Sequence, residues 1–181
     1  MDLRERDAYL DQVLIGGREQ REIVIRDYDP GWPLRFEVER GRVRRALGSK
    51  ALRIEHIGST AVPGLAAKPI IDVLVTVFDP DDDVAVLSPL QLAGYELRVR
   101  EPAHRMFRTP EKDVHVHVWA DTDPEVARCL TFRDQLQRSS EDRAAYERLK
   151  RDLASRPWRD MNDYADAKSD LIAAILAKAT A

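Results

Sequence analysis

Apolar residues in this chain change their spacing twice, from a helical period to alternating or continuous runs and back to a helical period. Residues 1–20 end in Gly16-Gly17 and read as a short helical extension, loosely attached to a single domain over 21–181. Asp29-Pro30-Gly31-Trp32-Pro33 is a compact turn signal. It launches a helix from about Pro33 to Leu47, which Gly48 stops. Leu34, Val38, Val43 and Leu47 supply that helix with an approximate apolar stripe. Short apolar runs at 52–57 and 69–77 predict strands. The acidic run from Asp79 to Asp83 suits a helix N-terminus, and Gly94 marks the end of that helix. Strands follow near 95–100, 104–109 and 113–119, with Pro110-Glu111-Lys112 as a turn. Helical spacing returns over 123–138, 140–155 and 161–178. Strands first and helices late predict an α/β or α+β layered domain with a helical C-terminal portion.

Composition narrows the function classes. Charged residues make up 34% and hydrophobic ones 44% of the 181, which is the balance of a globular chain. A net charge of −3 gives no overall electrostatic reason to expect nucleic acid. The single Cys129 excludes an internal disulfide and a four-cysteine metal site. No apolar run approaches the ~20 residues that span a bilayer, and MDLRERDAYLDQV has no apolar signal core. These features predict a cytoplasmic protein.

Candidate chemistry concentrates between Arg53 and Val77. Asp72 stands among Ile70, Ile71, Val73, Leu74 and Val75, where a carboxylate is costly to bury without a partner. The preceding turn, Gly58-Ser59-Thr60, and Lys68 are suited to holding a phosphate or other anion. A plainer alternative is that Ser59 and Thr60 cap a helix while Asp72 pairs with Lys68 or a backbone group. Residues 113–118 alternate strictly, putting Asp113, His115 and His117 on one strand face and three valines on the other. Two histidines so spaced can chelate a transition metal, with His56 as a possible further ligand, or one can act as a general base. Arg105 becomes an anion clamp if it shares their face. Tyr146 with Lys150, and Tyr164 with Lys168, stand four apart on predicted helices; without a G-x-G-x-x-G they do not make a dinucleotide site.

Long motifs carry a family resemblance. HIGSTAVPGLAAKPIIDVLV at 56–75 closely resembles the core motif of the GrpB family, a UPF0157-type group placed in the nucleotidyltransferase superfamily. IVIRDYDPGWPLRF, HRMF, HVHV, FRDQL, YERLK and DYADAKSDLI resemble further family segments, so the likeness runs from about Ile23 to about Leu176. The resemblance implies a nucleotidyltransferase-like mixed sheet with flanking helices. It also implies a site in which Gly58, Ser59, Thr60, Lys68 and Arg105 hold a nucleoside triphosphate. Asp72, with His115 and His117, would bind Mg²⁺, Mn²⁺ or Zn²⁺ or move a proton. Such a site would transfer a nucleotidyl or related group to a small acceptor. Where the superfamily places a second carboxylate, two residues after the first, this chain has Leu74. That departure keeps two other expectations open: a non-catalytic nucleotide- or anion-binding module, and a metal-dependent hydrolase using the histidines. Family relatives fused to dephospho-coenzyme A kinase imply an accessory role near nucleotide or coenzyme metabolism.

Overall fold

The computed structural model describes residues 2–180. Five strands form one mixed sheet: β1 (Arg53–Ile57), β2 (Ile71–Val77), β3 (Glu96–Glu101), β4 (His104–Arg108) and β5 (Val114–Ala120), in the spatial order β1-β2-β5-β4-β3. β2 and β5 run parallel beside each other; every other neighbouring pair is antiparallel. A parallel pair needs a long crossover. Here it holds a π-helical turn (Asp83–Leu87), the short helix α3 (Ser88–Leu92) and the β3–β4 hairpin.

One face of the sheet is a conventional core. Ile71, Val73, Val75 and Val77 of β2 and Val114, Val116 and Val118 of β5 are all nearly inaccessible there. Burying such a side chain contributes roughly 1.5–3 kcal/mol each. Helix α2 (Trp32–Leu47) covers this face. Asp29 Oδ1 accepts the Gly31 N–H at 2.7 Å to fix the turn before it, Pro33 occupies its first turn, and Gly48, at φ +58°, ends it. Its buried stripe is Trp32, Phe36, Val43 and Leu47, whereas Leu34 and Val38 face solvent at 71% and 62% exposure. This corrects half of the expected stripe. Phe36, Val43 and Leu47 stand seven and four apart and so share a phase that Leu34 and Val38 miss.

The opposite face is covered by the C-terminal helices. Helix α4 (Pro124–Arg138) lays Val126 and Cys129 against Ile57, Leu74 and Trp119. Helices α5 (Ser140–Ala154) and α7 (Ser169–Ala179) join α4 and the loop after β1 in a second cluster around Val62, Leu65, Leu136, Tyr146 and Ile175. The last expected helix is two: α6 (Met161–Asp166) closes before Lys168, whose Nζ donates to the Tyr164 carbonyl at 3.1 Å, and α7 starts anew. Among the described residues no helix is long and apolar enough to cross a membrane.

The N-terminal segment is tied down rather than loose. Helix α1 (Leu3–Val13) opens with a capping box from Asp2 and Glu5. Arg6 pairs with Asp163 at 2.7 Å and Arg159 with Asp7 at 2.8 Å. Beyond α1, the Ile15 N–H donates to the Arg98 carbonyl at 2.9 Å, and the buried Arg98 guanidinium donates back to the carbonyls of Ile15 and Gly17. We expect Arg98→Leu to cost about 1–3 kcal/mol through those orphaned carbonyls. In hydrogen exchange the Ile15 amide should lose protection while Val73 and Val75 keep theirs; unchanged exchange at Ile15 would show that the guanidinium does not anchor the segment.

Candidate functional site

Asp72 is the second residue of β2 and lies opposite Ile57 on β1 and His115 on β5, so their side chains emerge on one face. His117, two residues along β5, shares that face. His115 Nδ1 stands 3.4 Å, and His117 Nε2 3.9 Å, from Asp72 Oδ1. One donor atom from each of the three lies within 4.8 Å of the others. Ligands about 2.0–2.2 Å from one tetrahedral Zn²⁺ stand ~3.3 Å apart, so this set fits a single small divalent ion after slight adjustment of the rings. Two nitrogens and one carboxylate oxygen suit Zn²⁺, Mn²⁺ or Fe²⁺ better than Mg²⁺, which prefers an oxygen cage. Burial pushes the Asp72 carboxyl up, but the two imidazoles outweigh it and hold the group well below the usual carboxylate range.

Two further features fix the carboxylate. Gly58, at φ +71°, turns the chain after β1 so closely over Asp72 that a Cβ there would lie 2.4 Å from Asp72 Oδ2. Only glycine meets both demands. On the other side His117 Nδ1 faces His104 Nε2 at 3.4 Å, and His104 Nδ1 meets Glu101 Oε2 at 2.6 Å. Tyr9 of α1 donates its hydroxyl to the same Glu101 carboxylate. Such an outer chain orients a ligand imidazole and selects its tautomer.

A cavity of about 190 Å³ opens over Asp72. Gly58, Ser59 and Thr60 form one wall, Asp72 and His115 line the floor, and Lys68, Lys150 and Lys168 converge from the remaining sides with Tyr146 and Tyr164 between them. Lys150 Nζ donates to Ser59 Oγ at 2.9 Å and to the Ala66 carbonyl. Lys168 Nζ sits 3.7 Å, and Lys68 Nζ 4.9 Å, from the centre of the Tyr164 ring, both within cation–π range. Burial pushes Lys150 down from 10.5 to about 7. Burial, reinforced by the charges of Lys68 and Lys150, does the same to Lys168. Lys68 is lowered too, by burial against the opposing pull of Asp72. Three crowded, partly desolvated lysines are chemically suited to receiving anionic oxygen.

Not every expected residue belongs here. Asp72, His115, His117, Gly58, Ser59, Thr60 and Lys68 come together. Thr60 is nearly inaccessible, and its hydroxyl donates to the Ile70 carbonyl at 3.0 Å, so it braces the turn. Arg105 is not in the cavity. It pairs across β5 with Val118, which puts it on the core side, where it meets the His104 carbonyl at 3.0 Å and Asp81 at 2.8 Å. The arginine that shares the site face is Arg108, and Glu19 neutralises it at 2.9 Å. His56 is likewise on the far face, opposite Val73, stacked on Phe36 at 4.7 Å; burial lowers it to about 4. It is no ligand. Lys150 carries more of the site than its sequence reading allowed. Its signal was a lysine on the stripe Tyr146-Lys150-Leu153, the face that α5 buries.

The lysines make a pH prediction with two opposite signs. Between about pH 7 and 10.5 the unfolded chain holds protons that Lys150 and Lys168 have lost in the fold. Stability without ligand should therefore rise with pH across that window. Affinity for inorganic triphosphate should fall over the same range as the cations neutralise; calorimetric titration from pH 6 to 9 measures it, and a flat profile would remove the lysines from the anion site. Separately, His104→Ala should weaken Zn²⁺ or Mn²⁺ binding roughly 10–100-fold, read by competition with a chromophoric chelator. Unchanged affinity would mean that His117 needs no outer support.

Comparison with known proteins shows the family and the fold. The family model described as GrpB protein matches residues 22–178. A UPF0157 protein of Streptomyces coelicolor is 52% identical over 168 residues, covering 93% of this chain and 90% of its own length. A UPF0157 protein of Halalkalibacterium halodurans is 44% identical over 180 residues, covering 97% of this chain and 92% of its own. The crystal structure of GrpB from Enterococcus faecalis superposes with a TM-score of 0.77 at 33% identity, covering 86% of this chain and 96% of that one. With its α+β sheet, its flanking helices and nearly its whole length matched, the chain belongs to the GrpB family.

Proposed function

We propose that this protein transfers a nucleotidyl or related group from a nucleoside triphosphate to a small acceptor, with Asp72, His115 and His117 holding a divalent transition metal. One observation carries the reading: Asp72 and His115 of the metal-capable triad line the same cavity as the three lysines, with His117 beside them. A polyphosphate carries several negative charges, and Lys68, Lys150 and Lys168 supply the matching cations beside the Gly58-Ser59 turn. Asp72, His115 and His117 would hold a divalent ion, which would neutralise phosphate charge as a Lewis acid. In the transfer, one P–O bond to the leaving pyrophosphate breaks with its electron pair, and one forms to the acceptor. The acceptor's proton leaves to water through the cavity mouth. Tyr146 and Tyr164 wall the anion off from bulk solvent, which strengthens every charge interaction inside.

A second reading has its own support. Leu74 is fully buried against Trp119 and Val126, so the position that would carry another carboxylate is committed to packing. A binding module that holds a nucleotide without consuming it needs no group there.

Incubation with each nucleoside triphosphate and Mn²⁺, Zn²⁺ or Mg²⁺, with small alcohols and amines as acceptors, separates the two. We expect pyrophosphate release that Mn²⁺ or Zn²⁺ supports better than Mg²⁺. Asp72→Asn should lower it by at least roughly 10²–10³-fold with the melting temperature retained. Full activity in Asp72→Asn would overturn the proposal; triphosphate binding without any turnover would establish the binding module, and phosphate release without an acceptor would point to hydrolysis.

A further inference from the structure

Asp72 and Gly58 are a partition between two spaces. Behind them lies a second hollow of about 250 Å³ with a different lining. Its walls are Ile57 from β1, Trp119 from β5, Cys129 and Phe132 from α4, and Ile172 from α7. Its polar side chains are Asp72 and His117, from the candidate metal set, and Arg128 from α4. Burial pushes the Cys129 thiol up to about 11, so it packs there as a small apolar group and not as a thiolate.

This lining differs from the lysine cavity in what it attracts. Small-molecule sites are mostly apolar with a few placed polar groups, and this hollow has that make-up. Neither space alone reaches the ~300 Å³ at which such sites begin, and Gly58 and Asp72 belong to the lining of both. Among the described residues Arg128 is paired with Glu125 alone, at 3.1 Å, in a pair whose members are 47% and 46% exposed. An exposed pair of that kind contributes little, about 0–1 kcal/mol, so the guanidinium can exchange Glu125 for a ligand carboxylate. Trp119 offers a broad ring within a parallel set, 5.2 Å from His117 and 4.5 Å from His104.

We propose that this hollow is the subsite of the second substrate, a small flat alcohol or amine with an apolar body, its head at Asp72 and His117 and an anionic group at Arg128. The inference deepens the transfer reading and rests on it for the substrate's role: the head atom forms the new bond to phosphorus, gives up its proton to water, and pyrophosphate departs. The occupancy of the hollow stands independently.

The test uses a fragment with those three features, 4-(hydroxymethyl)benzoate, titrated into the full chain while the indole N–H signal of Trp119, assigned by its loss in Trp119→Phe, is followed by NMR. A saturable shift is expected. Cys129→Phe, which fills the hollow, should weaken binding at least tenfold. Benzyl alcohol, which lacks the carboxylate, should bind at least threefold more weakly to the unmodified chain but as well as the benzoate to Arg128→Gln. A thermal melt confirms that each variant is folded, and the exposed Arg128→Gln keeps the test valid where Cys129→Phe is not. No saturable shift, or one unchanged in Cys129→Phe and Arg128→Gln, overturns the inference whatever the transfer assay gives. A saturable shift sensitive to these variants supports it even when no transfer is detected.

Discussion

A carboxylate on a central strand is the constraint that the surrounding structure answers. Asp72 sits between β1 and β5, where the neighbouring positions of β2 are wholly apolar. A charge left there unpaired would cost several kcal/mol. Hydrogen-bonding partners close at hand therefore decide whether the strand tolerates it. Parallel pairing with β5 brings His115 level with Asp72 and His117 one repeat further. The backbone must then approach at Gly58 without a side chain. The helices that cover this face bring lysines instead of leucines to the cavity, and the Leu74 side of the face closes against α4.

Much of this was legible because strands with one buried face announce themselves in alternation. Val114, Val116 and Val118 against His115 and His117 gave β5 and its polar face directly, and Asp72 stood out among valines and isoleucines. Strand pairing was not legible. His56 and Arg105 are each one residue out of phase with the site, and which phase faces the cavity depends on register with β2 and β5. The α2 stripe could have been phased correctly, because Trp32 and Phe36 agree with Val43 and Leu47 while Leu34 and Val38 lie about two residues away on the helical wheel. The break between α6 and α7 has no glycine or proline to mark it. Its visible cause is tertiary: Lys168 folds back over Tyr164 and onto its carbonyl.

The N-terminal segment shows how far the site's support extends. Residues 2–21 lie outside the span matched to the family, yet Tyr9 touches Glu101, Glu101 holds His104, and His104 faces His117. Glu19 occupies Arg108, the one β4 arginine on the site face, and removes its charge from the neighbourhood of His115. An extension that supplies the last carboxylate and the last hydroxyl of two chains ending at β5 acts on the site through its contacts, not through its own chemistry.

Charge accounting explains why histidine beside Asp72 suits this cavity. Two carboxylates with a divalent ion sum to zero, whereas one carboxylate, two neutral imidazoles and the same ion leave a charge of about +1. With such an ion bound, that surplus, added to Lys68, Lys150 and Lys168, would draw an anion more strongly than a neutral centre would. Burial, with the like charges of neighbouring cations, already makes all three lysines harder to protonate while the cavity lacks an anion. On the proposed function metal, protons and anion would be coupled: each anion that entered would restore protons to the lysines, and each proton restored would tighten the hold on the anion. A site built this way reads the total charge of its ligand before it reads the ligand's shape, and the apolar hollow beyond Asp72 is where shape is left to be read.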